Sequence, residues 1–562
     1  MSSFIIVAGQ LPEKYHRSFE DQILNARKLF RGRRYSIALF GENIHYNENA
    51  EKLFIAAGMF VDKNNMIIST PNFSTVEQFK IEYSGHYACA SISNDNIELF
   101  NDELGIRELF IHKSENFAII ATSPELIAGI IDTEINIPAF AGRWTLENQF
   151  GYDCIYKDII RVVSKAKISI GLAPDAITPV VSSGLFTPDQ PPNADIIDLL
   201  LNKIRNLGQS DKKITFMLSG GLDSRFLLAL CLKAGLEFET VSIGPPDHPD
   251  NAVAKNLASI SGIKHTNIPA LEDSDKIIDL LPEFIVKSRF TAPASELVRK
   301  YVYKQFNDEN RLLIDGSFGE IIRRGFFNKL VYRVRGALIT KNEKMLAKAL
   351  NYPHADVFNS KFDELMLEYS EMQIERALQG VSFGYQDNPG DVCDVLGVRD
   401  KLLNYNNIEQ NRIDGFVINY CPFSQHDVIN AAFALNFEDK NNGKLMKEFI
   451  YKNSPDITKL PLIKGVTKMP FTMNTLNSKI LAKLKKSTGF YYSDKTIENF
   501  LRNIKEYSLD ILSSQSASEY EFYDKIKLNN YIERYNKDDY SIAEELDWLV
   551  TFEMFRRSIT NS

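Results

Sequence analysis

Six consecutive residues, Ser219-Gly220-Gly221-Leu222-Asp223-Ser224, carry the densest chemistry in the chain. An apolar run (Ile214, Phe216, Met217, Leu218) stops at them, and a helix-like stretch from Arg225 to Ala234 follows. That pattern reads as a buried strand, a tight glycine turn and a helix start. Glycines let the main chain approach an anion closely, Ser219 and Ser224 add hydroxyl donors, and the free N–H groups and dipole of a helix start favour phosphate. Asp223 has little reason to sit in an anion site unless it holds a cation, and Mg²⁺ bridging a carboxylate and phosphate oxygens is the natural choice. The loop has neither G-x-x-x-x-G-K-[ST] nor G-x-G-x-x-G spacing. The bland alternative is a strand–turn–helix whose glycines serve turn geometry alone.

The elements that must hold this loop divide the chain in two. Residues 1–170 read as β-rich, with strand-like runs at 4–8, 35–40, 66–69, 79–83, 86–93, 96–100, 109–112 and 117–122. Helices are expected at 21–30 and 124–131, giving a layered α+β domain. Residues 174–193, rich in Pro, Ser and Gly, read as linker, so 171–193 is taken as the connection. From 194 a helix (194–207) leads into the loop. Strand 239–243, helix 251–261, strand 266–268 and helix 275–286 then alternate. Such alternation implies a parallel sheet covered by helices, with ligands at the carboxyl ends of its strands. The chain from about 342 onward is mainly helical.

The chain has 562 residues, enough for two or three domains, and 44% hydrophobic and 25% charged residues, as in soluble globular proteins. Its formal charge of −8 and lack of a dense basic block argue against nucleic acid as a partner. The five cysteines form no C-x-x-C pair and fit a reducing compartment. No run reaches the length of a membrane span, and the apolar start is too short for a signal peptide. A cytoplasmic protein is expected.

Ser219–Ser224 resembles the pyrophosphate-binding loop of the N-type ATP pyrophosphatases, which cleave ATP between the α- and β-phosphates and adenylate a substrate. Further stretches resemble the class B asparagine synthetase superfamily, in its order. Asn101–Phe110 is similar to the family's "D-x-x-G-x-R-x-L-[YF]" turn, and Ala121–Glu125 to its "A-S-E" segment. Phe150-Gly151-Tyr152 and Lys157–Arg161 resemble the hinge before the synthetase domain. Val241–Gly244, Leu313–Glu320, Cys421–Asp427 and Pro461–Gly465 resemble the later nucleotide, metal, "V-P-F-L-D" and lysine loops. The resemblance implies an N-terminal glutaminase-like (Ntn-type) α+β sandwich over 1–170. An α/β parallel-sheet ATP pyrophosphatase domain with a helical C-terminal part follows over 194–562.

Two departures shape the expected activity. Glutamine-hydrolysing members begin with a nucleophilic cysteine, whereas Met1 is followed here by Ser2 and Ser3. An unactivated serine hydroxyl is a far poorer nucleophile, so the first domain is expected to be structural, a nucleophilic Ser2 being the alternative. The family's metal-loop aspartate appears as Glu320, which can still ligate Mg²⁺, with Asp315 as a fallback and a plain helix start as the bland reading. Ser317 stands where β-lactam synthetases carry tyrosine, which counts against a β-lactam product.

By this resemblance, Ser219, Gly220, Gly221 and Ser224 bind pyrophosphate, and Asp223 and Glu320 hold Mg²⁺. Leu218, Gly244 and Gly316 lie at nucleotide-binding positions, and Lys464 stabilises charge during acyl transfer, with Lys468 as its rival. Arg225 is a candidate contact to phosphate or an acidic substrate, a structural salt bridge being the alternative. Asp247-His248-Pro249-Asp250 reads as a solvated loop with Asp250 capping the next helix, and the lysine-rich stretch 479–486 as a solvated face. The expected activity is an ATP- and Mg²⁺-dependent amide ligase without glutaminase, closing a macrolactam as lasso-peptide cyclases do. Its substrate would be a small-molecule or peptide carboxylate, with a precursor peptide and a protease as partners. Amidation of a sugar acid or amino acid with outside ammonia is the second reading, and a catalytically silent nucleotide-binding scaffold the third.

Overall fold

The computed structural model describes the chain except residues 1, 42, 50–51, 69–70, 73–74, 147, 173–176, 178, 189–194, 380, 382–388, 474–476, 478–479, 482–483, 485–491 and 561–562. Most of the lysine-rich stretch 479–486 therefore lies outside the described residues, as do residues 173–176, 178 and 189–193 of the expected connection.

The first part of the chain builds two antiparallel sheets. One runs in the order Ile160–Val162, Leu109–Lys113, Phe117–Ala121, Ser3–Gly9, Tyr35–Phe40, Lys28–Arg31. The other runs Pro179–Ser182, Lys167–Gly171, Asn96–Asn101, Tyr83–Ser93, Lys52–Asp62, Ile44–Glu48, with Ile67–Ile68 paired beside Lys52–Asp62. Strand Ser3–Gly9 shows the logic of the layers, because alternate side chains leave opposite faces. Phe4, Ile6 and Ala8 enter a core with Ile55, Ala90 and Leu99 of the second sheet. Ile5 and Val7 enter another core with Phe140 and Trp144 of helix Ile137–Thr145 and with Leu549 and Phe552 of the C-terminal helix Ala543–Thr560.

Three expectations are corrected here. The run 79–83 is not a strand: Val76–Glu82 is helical, with Thr75 Oγ1 accepting from Gln78 N at 3.1 Å as its cap. The alternation Phe-x-Ile-x-Tyr misled, because Phe79 is buried while Ile81 is 71% exposed. The helix expected at 21–30 is instead His16–Ile23, burying Phe19 and Ile23 four residues apart, and Lys28–Arg31 is an edge strand. The expected linker contains a strand, Pro179–Ser182, whose edge position tolerates proline.

The second part holds a five-stranded sheet, in the order His265–Ile268, Glu239–Ile243, Lys213–Met217, Arg311–Ile314, Ile418–Tyr420, with every pair parallel. The earliest strand in sequence, Lys213–Met217, lies in the middle, so the winding direction reverses beside it. That reversal opens a crevice at the carboxyl ends of the strands. Helix Leu222–Ala234, following the central strand, is almost wholly buried.

Buried charge joins the two parts. Arg107 pairs with Asp414 at 3.0 Å, and Arg289 pairs with Glu108 at 2.6 Å and Glu125 at 2.7 Å. His86 sits at the same junction, its ring nitrogens 2.9 and 3.1 Å from the amides of Gln410 and Gln425. Burial, then Arg107, pushes its pKa down to about 3. Below pH 6.5 the unfolded chain takes up a proton that the folded one refuses, so acid removes stability, by about 1.4 kcal/mol per pH unit from this ring. His86→Gln is expected to flatten the loss of thermal stability between pH 6.5 and 4.5, and equal slopes for both proteins would refute this assignment.

Candidate functional site

The loop Ser219–Ser224 caps the central strand at the point where the winding reverses. Helix Leu222–Ala234 starts with Gly221 as its N-cap (φ −69°, ψ 170°) and has no side-chain capping bond. The first-turn N–H groups of such a helix are donors aimed at an anion. Ser219 Oγ and Ser224 Oγ lie 2.7 Å apart, and Ser224 Oγ donates to Ser219 O at 3.0 Å. Gly220 N donates to Asp250 Oδ1 at 2.7 Å. Asp250 is therefore no N-cap: His248 caps helix Pro249–Ile260, and the Asp250 carboxylate reaches back to the loop.

A short hairpin closes over the loop. Strands Leu462–Lys464 and Thr467–Met469 pair in the register Ile463↔Lys468 and Lys464↔Thr467. Ile463 N donates to Gly220 O at 3.0 Å. A Cβ at Gly220 would stand 2.5 Å from Ile463 Cγ1, so this contact requires glycine. Lys464 lines a cavity of about 420 Å³ together with Asp223 and Arg323, whereas Lys468 does not line it.

Arg225 has a different place from the one expected. Its side chain is fully buried and donates to the carbonyls of Ile457 (3.1 Å), Leu460 (2.8 Å), Pro461 (2.7 Å) and Gly220 (3.3 Å). It lines neither cavity beside the loop. Burial lowers its pKa to about 10. Arg225 is thus a positioning residue that clasps the hairpin's approach to the glycine turn, rather than a contact to phosphate. Arg225→Met strands these carbonyls and is expected to cost about 3 kcal/mol or more, read as a lower urea midpoint with reduced turnover. An unchanged midpoint would remove the clasp.

Asp223 and Glu320 do come together, but around a guanidinium. Arg323 donates Nε to Asp223 Oδ1 at 2.6 Å and Nη2 to Oδ2 at 2.7 Å, and Glu320 Oε1 lies 3.7 Å from Nη2. Gly319 makes room, since a Cβ there would sit 2.7 Å from Asp223 Cβ. Asp315 is spent within its own surroundings: Oδ1 accepts from Ser317 N at 2.7 Å and Cys421 Sγ at 3.2 Å, and Oδ2 from Asn419 at 3.0 Å. Among the described residues no group of three or more His, Cys, Asp or Glu side chains could hold a metal ion. Two carboxylates and phosphate oxygens suffice for Mg²⁺, so Asp223 and Glu320 are of the right chemistry for that ion, with Arg323 standing between them in this structure.

Gly316 brings the loop after Arg311–Ile314 over the helix start, its ideal Cβ 3.0 Å from Ser224 N. Leu218 is buried and donates to Val241 O at 2.9 Å. Gly244 (φ +104°) borders a separate cavity of about 660 Å³, away from the loop. Ser2 is buried, its Oγ accepting from Asn43 N at 3.0 Å.

The glycine turn stands on a charge divide. On one side the 420 Å³ cavity is lined by Arg323, Arg324, Arg335, Lys447 and Lys464 and by the acid Asp223, with Arg323 paired to Asp223 and Arg324 to Asp391 and Asp394 behind it. On the other, a cavity of about 530 Å³ presents Asp223, Glu296, Asp315, Glu320 and Glu409 against Lys300 and Arg412. Both volumes suit small-molecule ligands. Sequence reasoning missed Arg323 and this basic wall. The signal present was the pair Arg323-Arg324 breaking the run Ile321-Ile322 … Phe326-Phe327 just after the expected metal loop.

Residues 195–316 match the asparagine synthase family model. The matched stretch holds the central strand, the loop and its helix, and ends at Gly316. Among curated proteins, the glutamine-hydrolyzing asparagine synthetase of Rattus norvegicus is 26% identical over 139 residues, 23% of this chain and 24% of that protein. The Homo sapiens enzyme of the same description is 25% identical over 139 residues, with the same two shares. The chain thus spans about a quarter of the length of these relatives. A solved structure, the Bacillus subtilis glutamine phosphoribosylpyrophosphate amidotransferase complexed with ADP and GMP, is similar at 11% identity and a TM-score of 0.21. It covers 47% of this chain and 65% of that one, too little to carry a structural argument. No described helix is long and apolar enough to cross a membrane.

Proposed function

We propose that this chain is an ATP-dependent amide ligase that adenylates a carboxylate, releases pyrophosphate and passes the acyl group to an amine without hydrolysing glutamine. The observation that carries this reading is the uncapped helix start at the sheet's reversal point, open to a basic cavity on one side and an acidic one on the other. A carboxylate is a poor acyl donor because oxide does not leave. Joining it to AMP makes a mixed anhydride, and AMP then departs as the amine attacks. Positioning and electrostatics can supply most of such a barrier.

In this reading the N–H groups around Gly221 and the hydroxyls of Ser219 and Ser224 hold the phosphates. The basic wall balances the charge of the departing pyrophosphate, and Lys464 stabilises the negative charge that develops during acyl transfer. Gly316, over the helix start, offers main-chain groups to the nucleotide, whereas Leu218 N is taken by Val241 O, and Gly244, bonded to Ile268 and Asn267, faces the separate cavity. Mg²⁺, held by Asp223 and Glu320, would supply further neutralisation of the phosphates. Beside the two carboxylates given to Mg²⁺, the second cavity keeps Glu296, Asp315 and Glu409 with Lys300 and Arg412, a polar setting for an incoming amine. The substrate we favour is a peptide or natural-product carboxylate closing on its own amine, with a precursor peptide and a processing protease as partners in the cytoplasm. The first part of the chain, a glutaminase-like sandwich without its nucleophile in this reading, serves as a structural platform.

The curated relatives, described as glutamine-hydrolyzing asparagine synthetases, favour a second reading in which an acid is amidated, here with ammonia from outside because Ser2 stands where those enzymes' nucleophile is expected. Exchange of labelled pyrophosphate into ATP, dependent on an added carboxylate, tests the adenylation step. Product formation on addition of ammonium, but not glutamine, would select the second reading. No exchange with any candidate carboxylate would favour a silent scaffold, a role for which an intact Ser219–Ser224 loop has no use.

A further inference from the structure

The cation that touches Asp223 is supplied by the chain itself. Arg323 follows the turn Gly319–Ile321 and engages both oxygens of the Asp223 carboxylate. A divalent ion needs those same oxygens, so guanidinium and metal exclude one another there. The pair is partly open to solvent, with side-chain exposures of 30% and 20%. The fork geometry makes this a strong pair, so it gives way only where the incoming metal and phosphates together offset its loss. Arg323 also lines the basic cavity, where Arg335, Lys447 and Lys464 face an anion and Arg324 is paired with Asp391 and Asp394. Asp223 borders both cavities. Releasing the carboxylate would leave the guanidinium fork beside that anion, and the fork matches phosphate oxygens two at a time.

We propose that Arg323 and a divalent cation trade places at Asp223. The guanidinium neutralises the carboxylate until nucleotide arrives with its metal, then moves onto the pyrophosphate end of the nucleotide in the basic cavity. The proposal rests on the ATP reading above. Arg323 is then a positioning residue for the metal and a phosphate contact for the leaving group, and Asp223 is never left as a bare charge.

The test uses the full chain and two probes, Mn²⁺ alone and inorganic pyrophosphate at saturating Mn²⁺, each titrated by calorimetry. Arg323→Met is expected to bind Mn²⁺ about tenfold more tightly and pyrophosphate about tenfold more weakly. A general loosening of the site would weaken both, so the opposite signs identify the exchange. Arg323→Lys, which keeps the charge without the fork, is expected to shift both affinities in the same directions by less, and it carries the test if Arg323→Met fails to fold. Adding Asp223→Asn to Arg323→Met is expected to abolish the gain in Mn²⁺ affinity. Unchanged Mn²⁺ affinity, a gain that survives Asp223→Asn, or unchanged pyrophosphate affinity would each overturn the proposal. Unchanged Mn²⁺ affinity in a protein whose wild type performs the exchange reaction sinks only the Arg323 role. Opposite shifts in a protein without that reaction uphold the swap and refute the ATP reading.

Discussion

Asp223→Ala is expected to reduce carboxylate-dependent exchange of pyrophosphate into ATP by about a thousandfold or more, with the fold intact. The side chain lies in the first turn of helix Leu222–Ala234, borders both cavities and faces Glu320 across Arg323. Its removal deletes the better-placed of two carboxylates available to a divalent ion. It also leaves the Arg323 guanidinium without its main partner, but that group is 30% exposed and can turn to water. The stability cost is therefore expected to stay near 1 kcal/mol or below, and melting curves separate this from unfolding. Retained exchange in Asp223→Ala would refute the metal role.

Lys464→Met is expected to lower overall amide formation by about a hundredfold or more, measured as product per enzyme with both half-reactions saturated. The hairpin turn, with Gly465 at φ +58°, places Lys464 on the wall of the basic cavity, while Lys468 stands opposite Ile463 and lines none of it. Lys468→Met is accordingly expected to stay within a few fold of wild type. Full product formation by Lys464→Met would move the role to Lys468 or remove it.

The loop and its sheet were readable in the sequence because punctuation there is local. Apolar residues end at Ser219-Gly220-Gly221 and a helix begins at once, so strand, turn and helix follow from adjacent residues. The alternation after Glu239 reported a parallel sheet for the same reason. What escaped depends on distant partners. Asp223 and Arg323 are 100 positions apart, and Arg225 meets the carbonyl of Ile457 from 232 positions away. Nothing near Arg225 marks it as a donor to main-chain carbonyls rather than phosphate. The helix over Val76–Glu82 escaped because its alternation was chemical and not one of burial, Ile81 pointing into water. The strand Pro179–Ser182 escaped because proline and serine suit both an edge strand and a linker.

Helix Ala543–Thr560 fills the underside of the sheet that contains Ser3–Gly9, with the Phe552 ring tilted 34° to that of Phe140 at 4.8 Å between centroids. A nascent chain therefore carries an unsealed apolar face, Ile5 and Val7 included, until residues beyond 540 leave the ribosome. A layer made before the second part of the chain is sealed only after it. Severing helix Ala543–Thr560 would therefore bare the apolar face of strand Ser3–Gly9 to water.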